Sequence, residues 1–301
     1  GTTVLIRAVS IILVLMGHFE IINIPGSTTL LLFITGWSIG KYQLTPITKN
    51  KSPVLLLNTF AYIAIPTFIF NAFVTFKNSK VVDWSVIFLV NNFTSSPFLI
   101  DGYWYLNVLL QSLLIIITLL SIPFLVKKIE DDSFKFFSTA AVISIGIAII
   151  DFYLQNSVPK LTPLQKIWVI FVGISFALAK SGKQRFIVFA LILTIGFDQY
   201  YRYGYSFMPV VLALFALIFS RVKVLSALVN PISNLAGGSL FIYLSHLQIK
   251  GLIDKTVFAG NKSIYLAAAL IGGVAMWRVW DHIYEPIKRR IRIITDSRGG
   301  A

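Results

Sequence analysis

Two residues in one apolar stretch have the types and the spacing for chemistry. Arg7 and His18 lie in VLIRAVSIILVLMGHFE, Val4 to Glu20, eleven residues apart. At ~100° and ~1.5 Å per residue, a helix brings the two side chains to within about 20° of one direction, about 16 Å apart along the axis. Ionisable groups on a membrane helix are costly and usually face a bundle interior or a wet cavity. A neutral imidazole there can take a proton from a hydroxyl, which is general-base work. A guanidinium is permanently charged and suits a phosphate or another anion. Taken alone, Arg7 also reads as a topology anchor that snorkels to the interface. Taken together, the pair reads as a polar stripe that lines a candidate active site.

Other polar residues stand near the ends of apolar runs. His246 closes SLFIYLSH, and Tyr243 lies three residues before it on a neighbouring helical face. Both suit hydrogen bonds across a bundle, and a helix–helix polar contact explains them as well as catalysis does. His282, in WDHIYEP, reads as interfacial. Asp101-Gly102-Tyr103-Trp104-Tyr105-Leu106 precedes a long apolar run. Trp104 and Tyr105 fit an aromatic belt, and they also suit a platform for a sugar ring. Gly36 follows Thr35 and lets helices approach closely. No zinc-peptidase, nucleophile-elbow, Walker or dinucleotide-binding motif is present, and the residues offer no metal site. The absence of cysteine excludes disulfides, thiolate metal sites and a cysteine nucleophile.

These side chains need helices in a membrane to hold them. The chain of 301 residues is 56% hydrophobic, with a mean hydropathy of +0.81. Only 13% of residues are charged, where about 25% is usual for a soluble domain. The expected class is an all-α polytopic membrane protein, a single integral membrane domain over 1–301. Spans of roughly 17–25 apolar residues fall at 4–23, 27–43, 54–75, 104–126, 136–154, 164–180, 184–200, 206–222, 237–253 and 263–283. Residues 84–94 are too short to cross and read as an interfacial or re-entrant piece. With the N-terminus in the cytoplasm, eighteen of the 26 basic residues lie inside and eight outside, Lys166 among the latter. That bias favours N-in, C-in and an even number of spans. The net charge of +14 therefore reports topology and attraction to anionic lipid headgroups rather than nucleic acid. No internal repeat or matched pair of broken helices appears, which speaks against an inverted-repeat transporter.

Several segments together resemble the acyltransferase-3 family of integral membrane acyltransferases. Arg7 and His18 match its R-x10-H pattern in the first span. LLFITGWSIG, residues 31–40, looks like its second-helix element, with Thr35 and Trp37 in place of a serine and a phenylalanine. YWYLNVLL, residues 103–110, is similar to its W-F-L element, and SLFIYLSH to its S-x-x-I-Y-L-x-H element. YEPIKRR, residues 284–290, looks like its closing signature. One stretch departs: an Arg-rich motif usually enters the third span, where this chain has KNKSPVLLLNTFAYIAIP, residues 49–66.

The resemblance implies transfer of an acyl group, usually acetyl or succinyl, from cytoplasmic acyl-CoA to a hydroxyl of a cell-surface glycan or its precursor. It implies a multi-pass protein of the bacterial cytoplasmic membrane. Its partners would be membrane lipids, acyl-CoA as co-substrate and the glycan acceptor, with no permanently bound cofactor and no nucleic acid. His18 would be the base or a transient acyl carrier, and Arg7 would help to hold the donor. Lys41, Lys49 and Lys51 would meet its phosphates, with Lys183, Arg185, Arg221 or Lys223 as substitutes. Trp104, Tyr105, Tyr243 and His246 would serve the acceptor side or support the site. The runner-up is a transporter or flippase for a polar or lipid-linked substrate, using the same cavity without acyl chemistry; a third reading is a structural membrane subunit.

Overall fold

A computed structural model of the chain describes residues 1–22, 26–79, 83–93, 103–154, 162–203, 207–219 and 222–298. Every regular element among them is helical, and none is a strand. Five helices are long and apolar enough to cross a membrane: Val54–Lys77, Trp104–Ser121, Ser133–Tyr153, Ser226–Ile253 and Lys262–Arg289. Thr2–His18, Pro163–Leu178 and Met208–Ile218 are apolar but shorter. The outward faces carry the same message. The helix Ser133–Leu154 exposes Val142, Ile143, Ile147, Ile149 and Ile150, a continuous apolar face that water would penalise.

The chain forms two compact units, each discontinuous in sequence. The first comprises Gly1–Ile34 and Lys180–Glu285, and the second Thr35–Ala179 with Pro286–Ala301.

In the first unit, α1 (Thr2–His18) packs along α12 (Ser226–Ile253). Helix α1 buries Thr3, Ile6, Ser10 and Val14 along one stripe and Ala8, Ile11 and Leu15 beside it, the three-to-four spacing of a packed helical face. Helix α12 is buried on every side from Phe241 to His246, nearly two turns. Helix α13 (Lys262–Arg298) crosses α12 closely. A Cβ at Gly273 would lie 2.4 Å from Ile242 Cα, so only glycine fits the crossing. Helix α10 (Gly182–Tyr203) pairs with α11 (Met208–Ile218).

Helix α2 (Ser27–Ser38) carries the chain from the first unit into the second. A π-helical turn at Ile39–Gln43 and α3 (Leu44–Lys49) prolong it, so this rod runs past the span expected at 27–43. The second unit is built around α9 (Pro163–Leu178), which is buried without interruption from Gln165 to Ser175. Helix α8 (Ser133–Leu154), α6 (Trp104–Ser121) and the π-helical turn pack on α9. Gly36 makes the close approach expected of it: a Cβ there would fall 2.0 Å from the Ile170 carbonyl oxygen. Gly40, one turn on, meets Ile174 and Ala177 in the same way. The long apolar run expected to span 104–126 breaks at Ile122. Pro123 pushes the residue before it to extended backbone, and α7 (Pro123–Asp131) starts there as an amphipathic helix that buries Val126 and Ile129.

The piece expected to be interfacial or re-entrant holds one short helix. Asp83 caps α5 (Trp84–Ile87), accepting from the Ser85 and Val86 amides. Side-chain amides from α4 (Val54–Ser79) and α6 then satisfy the backbone of 84–93. Asn71 donates to the Val86 carbonyl at 3.0 Å, and Gln111 to that of Leu89 at 2.6 Å. Gln111 and Asn92 bond reciprocally at 2.8 and 3.0 Å, and Asn107 donates to Asn91 at 2.6 Å. Buried backbone outside a helix needs such partners in place of water.

Among the described residues, three that are not glycine have left-handed backbone: Glu20, Lys51 and Leu89. All three follow the end of a helix in the same way. The Glu20 amide bonds the Gly17 carbonyl at 3.1 Å, and the Ile21 amide bonds that of Met16 at 2.8 Å. This is the Schellman closure, which usually employs glycine. A side chain in this conformation costs roughly 1–2 kcal/mol.

Candidate active site

The site forms where α1 ends against the fully buried turns of α12. His18 is the last residue of α1, and the Schellman closure at Glu20 fixes the final turn that carries it. His246 comes from α12. The His246 Nε2 and His18 Nδ1 atoms are 3.0 Å apart, although 228 residues separate them in the chain. The two rings meet edge to face, 4.7 Å between centroids and 80° between planes. On its other side, the His246 Nδ1 lies 2.5 Å from the Tyr243 carbonyl oxygen, one turn back on α12. The Tyr243 ring sits 6.3 Å from that of His18. His246 is 0% exposed, whereas His18 is half-buried.

Two residues not anticipated complete the surroundings. Phe19, directly after His18, is buried against the rings of His246 and Tyr265, at 6.0 and 5.8 Å. Tyr265 in turn donates its hydroxyl to Asp254 and receives the Gly260 amide, tying the segment that links α12 to α13. That hydrogen bond, with Lys250 2.9 Å from the same carboxyl, holds the Asp254 carboxyl below the usual carboxylate range. Lys262 donates to the Glu20 carbonyl at 2.8 Å and lies 3.7 Å from its carboxylate. Adjacency to His18 was the one available signal for Phe19. Tyr265 carried none.

Compared with known proteins, the chain matches no family model, no curated protein and no solved structure.

The other expected site residues are placed as follows. Arg7 is half-buried on α1, and it takes part in further interactions. Tyr243 and His246, expected on the acceptor side or in support of the site, stand against His18 itself. Lys41, Lys49 and Lys51 are exposed and belong to the second unit. Lys51 has a backbone part there, closing α3 in left-handed conformation. Trp104 begins α6, half-buried, and Tyr105 is buried. Lys183, Arg185 and Lys223 are not drawn to the histidines by any contact described; Asp101, Gly102 and Arg221 lie outside the described residues. His282, read as interfacial, is exposed. Lys166, counted among the basic residues of the outer side, is 0% exposed within α9 and takes part in further interactions. Among the described residues, no group of three or more His, Cys, Asp or Glu could hold a metal ion.

Proposed function

We propose that the protein is an integral membrane O-acyltransferase of the acyltransferase-3 kind. It moves an acetyl or succinyl group from cytoplasmic acyl-CoA to a hydroxyl of a cell-surface glycan or its precursor. In this reading the chain crosses the bacterial cytoplasmic membrane ten times, with both ends inside. His18 takes the proton of the acceptor hydroxyl as its oxygen attacks the thioester carbonyl. The C–S bond then breaks, and the departing thiolate receives that proton to leave as free CoA thiol. Arg7 holds an anionic part of the donor, and the exposed lysines Lys41, Lys49 and Lys51 attract its phosphates. Tyr243 and His246 support the imidazole.

The observation that carries this reading is the His18–His246 contact. The two histidines end two family-like elements that lie far apart in the sequence. Their imidazoles lie within hydrogen-bond distance, one buried and one half-exposed, the arrangement of a base with an orienting partner.

The test is incubation of purified protein with radiolabelled acetyl-CoA or succinyl-CoA, with and without candidate glycans. Label appearing on a glycan hydroxyl, or released by protein-dependent hydrolysis, is the expected result. Translocation of a lipid-linked glycan with no thioester turnover would replace the reading with the transporter one.

A further inference from the structure

We infer that His246 is a positioning residue that locks the proton of His18 onto Nδ1, leaving Nε2 of His18 as the one basic atom of the pair. Its consequence rests on the acyltransferase reading, but its derivation rests only on two contacts between four atoms. A carbonyl oxygen can only accept a hydrogen bond. The Tyr243 carbonyl, 2.5 Å from the His246 Nδ1, therefore requires the proton of that ring on Nδ1. In a neutral imidazole the other nitrogen is then a bare lone pair. The His246 Nε2 must accept, and the atom facing it at 3.0 Å, the His18 Nδ1, must donate. His18 thus carries its proton on Nδ1, and its Nε2 keeps the lone pair. Among the described residues that Nε2 makes no hydrogen bond.

The chain of donors runs from His18 to His246 to the backbone of α12 and ends there. Because the terminal carbonyl belongs to the helix one turn before His246, the orientation is built into α12 itself. An ordinary exposed imidazole prefers the opposite tautomer, with its proton on Nε2, which would present an N–H to the acceptor hydroxyl and could not remove its proton. The pair therefore converts an unfavoured tautomer into the resident one. Once His18 Nε2 has taken the acceptor proton, the His18 Nδ1–H still donates to His246 Nε2, so the imidazolium keeps its partner until the proton passes to the departing thiolate. Second partners fix the tautomer and orientation of functional imidazoles in this manner.

The decisive measurement is the ¹⁵N spectrum of histidine-labelled protein in lipid nanodiscs at about pH 8, above the ordinary imidazole range. Only His18, His246 and His282 contribute, so single substitutions assign them. The expected spectrum has His18 and His246 protonated on Nδ1, with His282 in the ordinary Nε2–H form. In His246→Leu, His18 should revert to Nε2–H. In His246→Gln, whose side-chain oxygen can accept, His18 should keep Nδ1–H. With acyl-CoA turnover as a second readout, His246→Leu should lower kcat roughly 10–100-fold, a part of what a positioned general base supplies, with the KM for acyl-CoA unchanged, and His246→Gln should recover most of the loss. Nε2–H on His18 in the unaltered protein, or two protons on His246, would overturn the inference even if neither variant folds. A His18 signal that does not respond to His246→Leu would overturn it as well. Nδ1–H on His18 in a protein that turns over no thioester would leave the assignment standing and remove the acyltransferase reading instead.

Discussion

The first unit's histidine pair and the second unit's amide cluster are both buried polar groups in an apolar protein, and they are arranged to opposite ends. Asn71, Asn91, Asn92, Asn107 and Gln111 spend their polarity on each other and on the backbone of 84–93. They hold a short segment whose backbone is largely not helical. The imidazoles of His18 and His246 make one hydrogen bond with each other and one with a carbonyl, and the half-buried ring keeps a nitrogen in reserve. Polarity given to a backbone fixes that backbone. Polarity that is oriented, with one lone pair kept back, is what a proton transfer needs.

His18→Ala tests that contrast most severely. It should reduce acyl transfer by about 10²–10⁴-fold, the usual range for a positioned general base, while the protein still purifies folded from membranes. Activity within a few-fold of normal would dissolve the distinction, because the imidazole would then be no more than another structural polar group. Arg7→Ala should come next, raising the KM for acyl-CoA by about tenfold or more while the KM for the acceptor changes little. A charge-assisted contact to one phosphate is worth about 1.5–3 kcal/mol, and about 1.4 kcal/mol is tenfold. Equal effects on both substrates would remove the donor role.

Gln111→Leu sharpens the other side. It strips the Leu89 carbonyl and both ends of the Asn92 amide of a partner. The expected cost is about 1–3 kcal/mol of stability, read as a lower unfolding temperature in detergent, with transfer per folded molecule unchanged. Lost transfer at unchanged stability would move the amides into the functional site. At Glu20 the expected effect is smaller. Glu20→Val should be about 1–2 kcal/mol less stable than Glu20→Gly, since a β-branched residue resists the left-handed conformation that glycine adopts freely. Equal stabilities would show that the closure after His18 tolerates any residue.

The smallest effect concerns pH. The Asp254 carboxyl is held low by Tyr265 and Lys250, so its contribution is present above the unfolded carboxyl value and is lost only as the pH falls through the still lower folded one. The protection of the Gly260 amide against hydrogen exchange, relative to the intrinsic rate at each pH, should accordingly hold steady from about pH 7 to about pH 5. A loss of protection already in that interval would show that another group controls the loop.

Much of the helical layout was legible because each element depends on local pattern. Apolar runs of sufficient length gave every helix that packs α1 or α9, and Gly36 announced a close crossing because nothing but a missing side chain serves there. That Arg7 and His18 share one helix was legible from the apolar run alone. What periodicity cannot encode is which distant element comes to face which. Tyr243 and His246 carried the right chemistry, but only the packing of α12 on α1 shows that His246 meets His18 rather than some other helix. The full burial of Lys166 was hidden for the same reason: a lysine at the edge of an apolar run gives no sign of the neighbours that enclose it. The break at Ile122 was missed because hydropathy ignores proline, although Pro123 dictated it.

Lys262 grips Glu20 two residues beyond the His18 ring, and so gives the molecule a long mechanical lever. An insertion, a proteolytic nick or a bound ligand in the stretch between Asp254 and Lys262 would slacken that grip. The disturbance would arrive at an imidazole more than two hundred positions away along the chain, without any residue of the pair itself having been touched.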